Sequence, residues 1–307
     1  MRAVAEKIST LPEASPFPFV SPELPPVGHP KALDYFFAAT LQQFSFWSVK
    51  DDHYHLPLID TIGGAEWKGS DYLWESFRLG LERDPEFCSP ERQANLSRAE
   101  MLEVFRSDGG VDAMPDTDLH LQQANAYGRD MLALQLTPQS MLDKALASRQ
   151  PLQTFLVILD QVGGYKEDPI RKKSLLLAMI LNDRPEVFLP LRGDEWIKPI
   201  VDYHFMRYCL RSGQADVLDE KLEAKLVNRQ IVSPEEEWAV RYPTYLILDE
   251  LARLSGKSPT EINSILFANT RNRCFEMTEP KCELCLVEPG CAKRKAFFQP
   301  VIRTSFY

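Results

Sequence analysis

Four expected helix starts pair a capping residue with a proline directly after it: Thr137-Pro138, Asp168-Pro169, Ser233-Pro234 and Ser258-Pro259. A side-chain oxygen at the cap accepts one of the amides that a helix start leaves unpaired. Proline fits the next position because its missing N–H would have no partner there. Glu236 and Glu261 follow the last two caps by three residues and complete capping boxes, and Ser97 with Glu100 makes another before Met101, Leu102 and Phe105. Leu33, Phe37, Leu41 and Phe44 recur at helical spacing. So many helix starts predict a mainly α protein. Leu56 to Trp67, with Gly63-Gly64 inside, reads as a small hairpin, and Pro243 is expected to kink or end the helix that Ser233 begins.

The 307 residues can bury a substantial core in one large or two modest domains. With 44% hydrophobic and 26% charged residues, the composition excludes a wholly disordered, collagen-like or disulfide-dense chain. No run approaches the roughly 18 apolar residues of a membrane span, and the N-terminus lacks a signal-like apolar stretch. The expectation is a cytoplasmic protein without a membrane partner. The net charge of -9 argues against tight nucleic-acid binding, whose footprint is usually a basic domain. Seven prolines among the first thirty residues predict an irregular arm over 1–30. A helical domain over 31–270 and a cysteine-bearing loop and tail over 271–307 are expected to follow.

Four of the six cysteines, Cys274, Cys282, Cys285 and Cys291, are spaced C-x7-C-x2-C-x5-C. In a reducing compartment that spacing points to a metal centre, and four thiolates suit a structural zinc or a [4Fe–4S] cluster. Only one pair is as tight as a zinc knuckle. Cys88 and Cys209 are isolated and are expected to be buried apolar thiols. Arg271, Arg273, Lys293, Arg294 and Lys295 flank the four cysteines and can offset their charge or touch phosphate.

The cysteine spacing resembles the C-terminal [4Fe–4S] loop of the endonuclease III class of helix-hairpin-helix glycosylases, with one residue added to the first interval. That superfamily carries a V-D-T-H-like segment upstream, matched here by Val201, Asp202 and His204, with Tyr203 replacing the threonine and Arg207 matching the rest of the pattern. The resemblance implies a glycosylase-like helical fold, a structural cluster and Asp202 as the catalytic carboxylate. The chemistry is apt: breaking an N-glycosidic bond builds positive charge on the sugar, which a fixed carboxylate stabilises. Taken by its residues alone, Asp202 equally reads as the cap of a helix through Leu210. The glycine-bearing hairpin with which DNA glycosylases grip backbone is not reproduced; the corresponding stretch contains Gly163-Gly164.

More of the chain is similar to the queuosine-salvage family, whose members resemble DNA glycosylases and release queuine from queuosine 5′-monophosphate. The similarity rests on Gln43-Phe44-Ser45-Phe46-Trp47, Lys172-Lys173-Ser174, Asp202-Tyr203-His204, Glu235 to Arg241, and the aromatic end Arg303 to Tyr307. It implies a small-molecule partner, a modified nucleotide. Phe46 and Trp47 would stack on the base, and Lys172 or Lys173 near a helix start would receive the phosphate. Glu237 and Arg241, four apart, would read the base edge or form an ion pair that pins their helix. His204 would orient Asp202 or serve structure. The second reading is a DNA glycosylase that flips a damaged base into its pocket. A third is a non-enzymatic iron–sulfur protein.

Overall fold

The computed structural model describes residues 1–13 and 16–307. In chain order its helices are α1 (Arg2–Ser9), α2 (Ala32–Leu41), α3 (Ser70–Arg83), α4 (Pro90–Ala94), α5 (Arg98–Phe105), α6 (Thr117–Ala133), α7 (Pro138–Leu146), α8 (Pro151–Leu159), α9 (Lys172–Asp183), α10 (Tyr203–Ser212), α11 (Glu220–Asn228), α12 (Pro234–Ser255) and α13 (Pro259–Arg273). Strands β1 (Trp47–Lys50) and β2 (His53–Pro57) form one two-stranded sheet, and β3 (Ile59–Ile62) and β4 (Ala65–Lys68) another. The protein is mainly α. Among the described residues, no helix is long and apolar enough to cross a membrane.

Two compact units divide the chain, and neither is a continuous stretch. The first comprises Met1–Phe17, Val49–Tyr54 and Trp196–Arg303; the second comprises Pro18–Ser48, His55–Glu195 and Thr304–Tyr307.

The predicted caps close as donor and acceptor chemistry requires. Ser97, Ser233 and Ser258 accept amides from Glu100, Glu236 and Glu261, whose carboxylates accept the cap amides in return. Such a cap contributes about 1 kcal/mol. Thr137 opens α7 in the same way, with Ser140 as its reciprocal partner. Asp168 behaves differently: α9 begins at Lys172, not at Pro169. Arg171 first turns left-handed at φ 55°, and the Asp168 carboxylate reaches forward to the amides of Ile170 and Lys172 at 3.2 and 2.8 Å.

Three further expectations need correction. The first ten residues are not irregular: α1 forms before the first proline and buries Val4, Ala5 and Ile8 in the first unit. Residues 14 and 15 of the expected arm lie outside the described residues. Pro243 does not end α12, which runs on to Ser255. Val240, Thr244, Ile247, Leu248 and Leu251 keep one buried stripe across it, so packing on both sides overrides the lost hydrogen bond. Phe44 lies past the end of α2, not on it. The Gly63-Gly64 hairpin forms as expected, with Ile62 paired to Ala65.

In the second unit, α2 is buried from Tyr35 to Leu41, the pattern of a central helix. Gly164 must be glycine there: its φ is 86°, and a Cβ would lie 1.8 Å from the Leu41 side chain. The proline-rich stretch from Pro18 onward lies on this unit, held by Arg184. That side chain is fully buried. It donates to the carbonyls of Phe19 at 2.5 Å and Pro25 at 3.3 Å, pairs with Glu186 and covers the Phe36 ring at 4.7 Å. Glu186 also accepts the Gly28 amide. Replacing Arg184 by leucine should cost about 3 kcal/mol, because Glu186 and two carbonyls lose their cation. Limited proteolysis should then cut within residues 18–28, where the wild type resists.

Candidate functional site

In the first unit the segment before α10 has no ladder partner, and side chains from two later helices hold it. Asn263 of α13 accepts the Ile200 amide at 3.4 Å, and Arg241 of α12 donates to the Val201 carbonyl at 3.5 Å. Asp202 follows as the N-cap of α10. Its carboxylate accepts the amides of His204 at 2.8 Å and Phe205 at 3.3 Å. The capping role is therefore real. Two amides at the positive end of a helix fix the carboxylate in place.

Behind Asp202 runs a chain of polar contacts. Arg207, one turn into α10 and 1% exposed, donates to His204 Nδ1 at 3.0 Å and to Gln299 Oε1 at 2.7 Å. Gln299 donates to Glu276 at 3.2 Å, and the Tyr54 hydroxyl donates to the same Glu276 oxygen. Tyr203 and Phe267 flank the His204 ring, the former tilted at 4.3 Å and the latter edge-on at 5.4 Å. Burial, and then the charges of Glu276 and Asp202, hold the Tyr203 phenol well above its ordinary pKa. Burial and Glu276 do the same to Tyr54. Both phenols are neutral at any physiological pH, and that of Tyr54 donates to Glu276.

At its other end α10 meets the cysteines. Cys274, Cys282, Cys285 and Cys291 line one cavity together with Tyr208, Arg211, Asn269 and Lys293, enclosing about 460 Å³ with its open mouth. The long first interval returns to its start, since the Lys281 amide donates to the Arg273 carbonyl at 2.8 Å. The residues between Cys274 and Cys282 therefore sit in a closed loop. Three sulfurs receive N–H donors: Cys274 from Arg211 at 3.4 Å, Cys285 from Asn269 at 3.2 Å, and Cys291 from the Lys293 amide at 3.4 Å. Among the described residues, no three His, Cys, Asp or Glu side chains are arranged as around a single metal ion. Four thiols thus share one cavity, three of them with N–H donors at their sulfurs and with the buried Arg211 guanidinium beside them; thiolates are the donor type that soft metals take. Of the flanking cations, Lys293, Arg294 and Lys295 pair with Glu288, Asp216 and Glu279. Cys88 and Cys209 are fully buried, and burial pushes the Cys209 thiol up to about 12.

Glu237 and Arg241 are both buried, with 3.7 Å between carboxylate and guanidinium. Their pair helps hold Val201, next to Asp202. The remaining sequence candidates belong to the second unit. Phe46 and Trp47 are 6% and 3% exposed, so their rings are nearly covered. Lys172 and Lys173 are not a solvated face. Lys172 donates to the Gln43 carbonyl at 2.9 Å, and the Lys173 amine lies 5.1 Å from the Phe44 ring centre. The opposite face of this cluster is His120, stacked on Phe44 at 4.1 Å.

Sequence reasoning passes over His120, Glu276, Gln299 and Tyr54. His120 is fully buried and bonds Gln42 through Nδ1 at 2.9 Å, while its Nε2 has no hydrogen-bond partner among the described residues. Burial first, and the Lys173 charge second, lower its pKa from 6.5 to about 3. A histidine that is neutral when folded and protonated when unfolded favours unfolding as pH falls. Its stabilisation is complete above about 6.5 and drains away between there and about 3. In urea titrations across that range, stability should therefore fall faster in the wild type than in His120→Phe, by at most about 1.4 kcal/mol per pH unit.

No protein-family model matches the chain, and no curated protein matches it at a significant level.

Proposed function

We propose that the protein is an N-glycosidase that hydrolyses a modified nucleotide, with queuosine 5′-monophosphate as substrate and free queuine as product. The observation that carries this reading is Asp202: a carboxylate pinned by two amides at a helix start, with His204 and Arg207 hydrogen-bonded behind it. As the bond between C1′ and the base nitrogen breaks, positive charge grows on the sugar. The Asp202 carboxylate stabilises it and orients the water whose oxygen adds to C1′, and the proton that this water gives up goes to the nitrogen of the departing base. Because the carboxylate is already fixed, little reorganisation is needed as that charge appears. The similarity to salvage enzymes supplies the substrate class, and the acidic composition supports a free nucleotide over duplex DNA. Phe46, Trp47, Lys172 and Lys173 belong to the second unit and are nearly covered, so this reading does not rest on them.

We propose further that Cys274, Cys282, Cys285 and Cys291 hold a [4Fe–4S] cluster whose role is to tie the C-terminal loop to α10. The three N–H donors to sulfur and the buried Arg211 suit thiolates that carry net negative charge.

Base release from queuosine 5′-monophosphate, followed by chromatography, tests the first proposal. Anaerobically purified wild type should liberate queuine, and Asp202→Asn, folded with an unchanged thermal midpoint, should be slower by about a thousandfold. A folded wild type that releases no base would remove this substrate, and equal rates in the two proteins would remove Asp202. Elemental analysis tests the second. About four iron and four sulfide per chain are expected, with the visible absorbance lost in Cys285→Ser. One zinc per chain and no iron would replace the cluster with a structural zinc site.

A further inference from the structure

We infer that Arg207 and Arg211 are positioning residues that join the cysteine loop to Asp202, so that metal at the cysteines keeps the first turn of α10 in order. The two stand four positions apart, one turn of the helix, and both are buried, at 1% and 6% exposure. Between them they clamp two stretches of the C-terminal loop, residues 275–276 and 297–299. Arg211 donates to the carbonyls of Phe275 at 2.7 Å and Phe297 at 2.8 Å. Arg207 donates to Gln299 at 2.7 Å, and the Gln299 amide donates to Glu276 at 3.2 Å.

The loop also closes the far end of the helix. The amides of Ala292 and Arg294 donate to the carbonyls of Ser212 and Arg211 at 2.9 and 2.8 Å. The fit is close there, since a Cβ on Gly213 would lie 2.7 Å from Ala292. Both moorings begin at a cysteine: Cys274 directly precedes Phe275, and Cys291 directly precedes Ala292. Metal held by the four cysteines, the reading on which this inference rests, ties those two roots together. The Cys274 sulfur accepts from Arg211 at 3.4 Å. The metal site and the clamp on both stretches therefore meet in one side chain.

From the clamp the path to the carboxylate is short. Arg207 bonds the His204 ring at 3.0 Å, and the amides of His204 and Phe205 hold Asp202. Without metal the two roots are joined by protein chain alone. The stretch at 297–299 then loses its fixed place, and Arg207 loses the acceptor that holds it beneath the first turn.

Hydrogen exchange of the full-length protein, read amide by amide before and after anaerobic chelation, tests this, with elemental analysis counting the metal in both samples. The His204 and Phe205 amides have the Asp202 carboxylate as acceptor, so their exchange reports that contact. They should exchange about tenfold faster once metal is removed, while the amides of Leu248 and Leu251 within α12 change little. Gln299→Leu leaves the four cysteines and Arg211 in place. In that variant the two amides should exchange at one rate in both forms, whereas a residue serving general stability would speed both forms and keep the difference. The wild-type comparison decides whether or not the variant folds. Equal exchange at His204 and Phe205 in loaded and metal-free wild type would overturn the coupling and leave the metal reading standing. Equal acceleration at Leu248 and Leu251 would overturn it too, because the metal would then hold the whole unit. A difference that persists in Gln299→Leu would remove Arg207 from the path. A wild type that carries neither iron nor zinc would overturn the metal reading and the coupling together.

Discussion

A carboxylate can act as a fixed charge only where its surroundings hold it still, and in this protein the first turn of α10 does so. That turn is in turn set by what α10 packs against. Phe205, Met206, Tyr208, Cys209 and Leu210 are buried, and the helix contacts both α12 and α13. At about 1.5–3 kcal/mol for each large buried side chain, the helix is anchored far more strongly than any single polar contact at its ends could manage. The polar groups then decide details: where Asp202 points and how the cysteine loop is moored. One helix of about 15 Å links a candidate reaction centre to a candidate metal centre.

A second theme runs through both units. Several cations are buried, and each holds a carbonyl of irregular backbone. Arg184 takes those of Phe19 and Pro25, Arg241 that of Val201, Arg211 those of Phe275 and Phe297, and Lys172 that of Gln43. Irregular segments have no ladder to satisfy their polar groups, and a buried carbonyl without a partner is costly. A long side chain from a well-packed helix solves the problem at a distance. The chain can therefore keep non-helical stretches inside a helical protein, and Ile200 to Asp202 is one of them.

What could be read from the sequence follows the same division. Caps at Ser97, Thr137, Ser233 and Ser258 were legible because cap and partner lie within three residues of each other. The Gly63-Gly64 turn was legible for a similar reason. Pro243 misled because its local cost is outweighed by packing that a local reading does not see, and α1 was hidden by the prolines that follow it. The cysteines announced themselves through spacing, and Asp202 through its neighbours. The groups behind Asp202 carried no signal: Tyr54 and Glu276 are 222 positions apart, and Arg207 and Gln299 are 92 apart. His120 lay beyond reach as well, since nothing in its neighbours marks a histidine that stacks on Phe44 and never meets water.

The way α1 is buried bears on how the chain reaches this state. Its apolar face packs against α12 and the turn at Glu288–Gly290, so tightly that a Cβ on Gly290 would lie 2.7 Å from Val4. During synthesis, residues 2–9 emerge well before α12 and residues 288–290, the surface they pack on. Until then Val4, Ala5 and Ile8 have nothing of their own to bury against. Contacts of such long sequence separation are slow to close, and an apolar segment exposed in the meantime is a site for chaperones or for self-association. The second unit, built mostly from 18–195, faces no comparable wait for its core. Its folding can run ahead, and the first unit, with α10 and its carboxylate, is then completed after it.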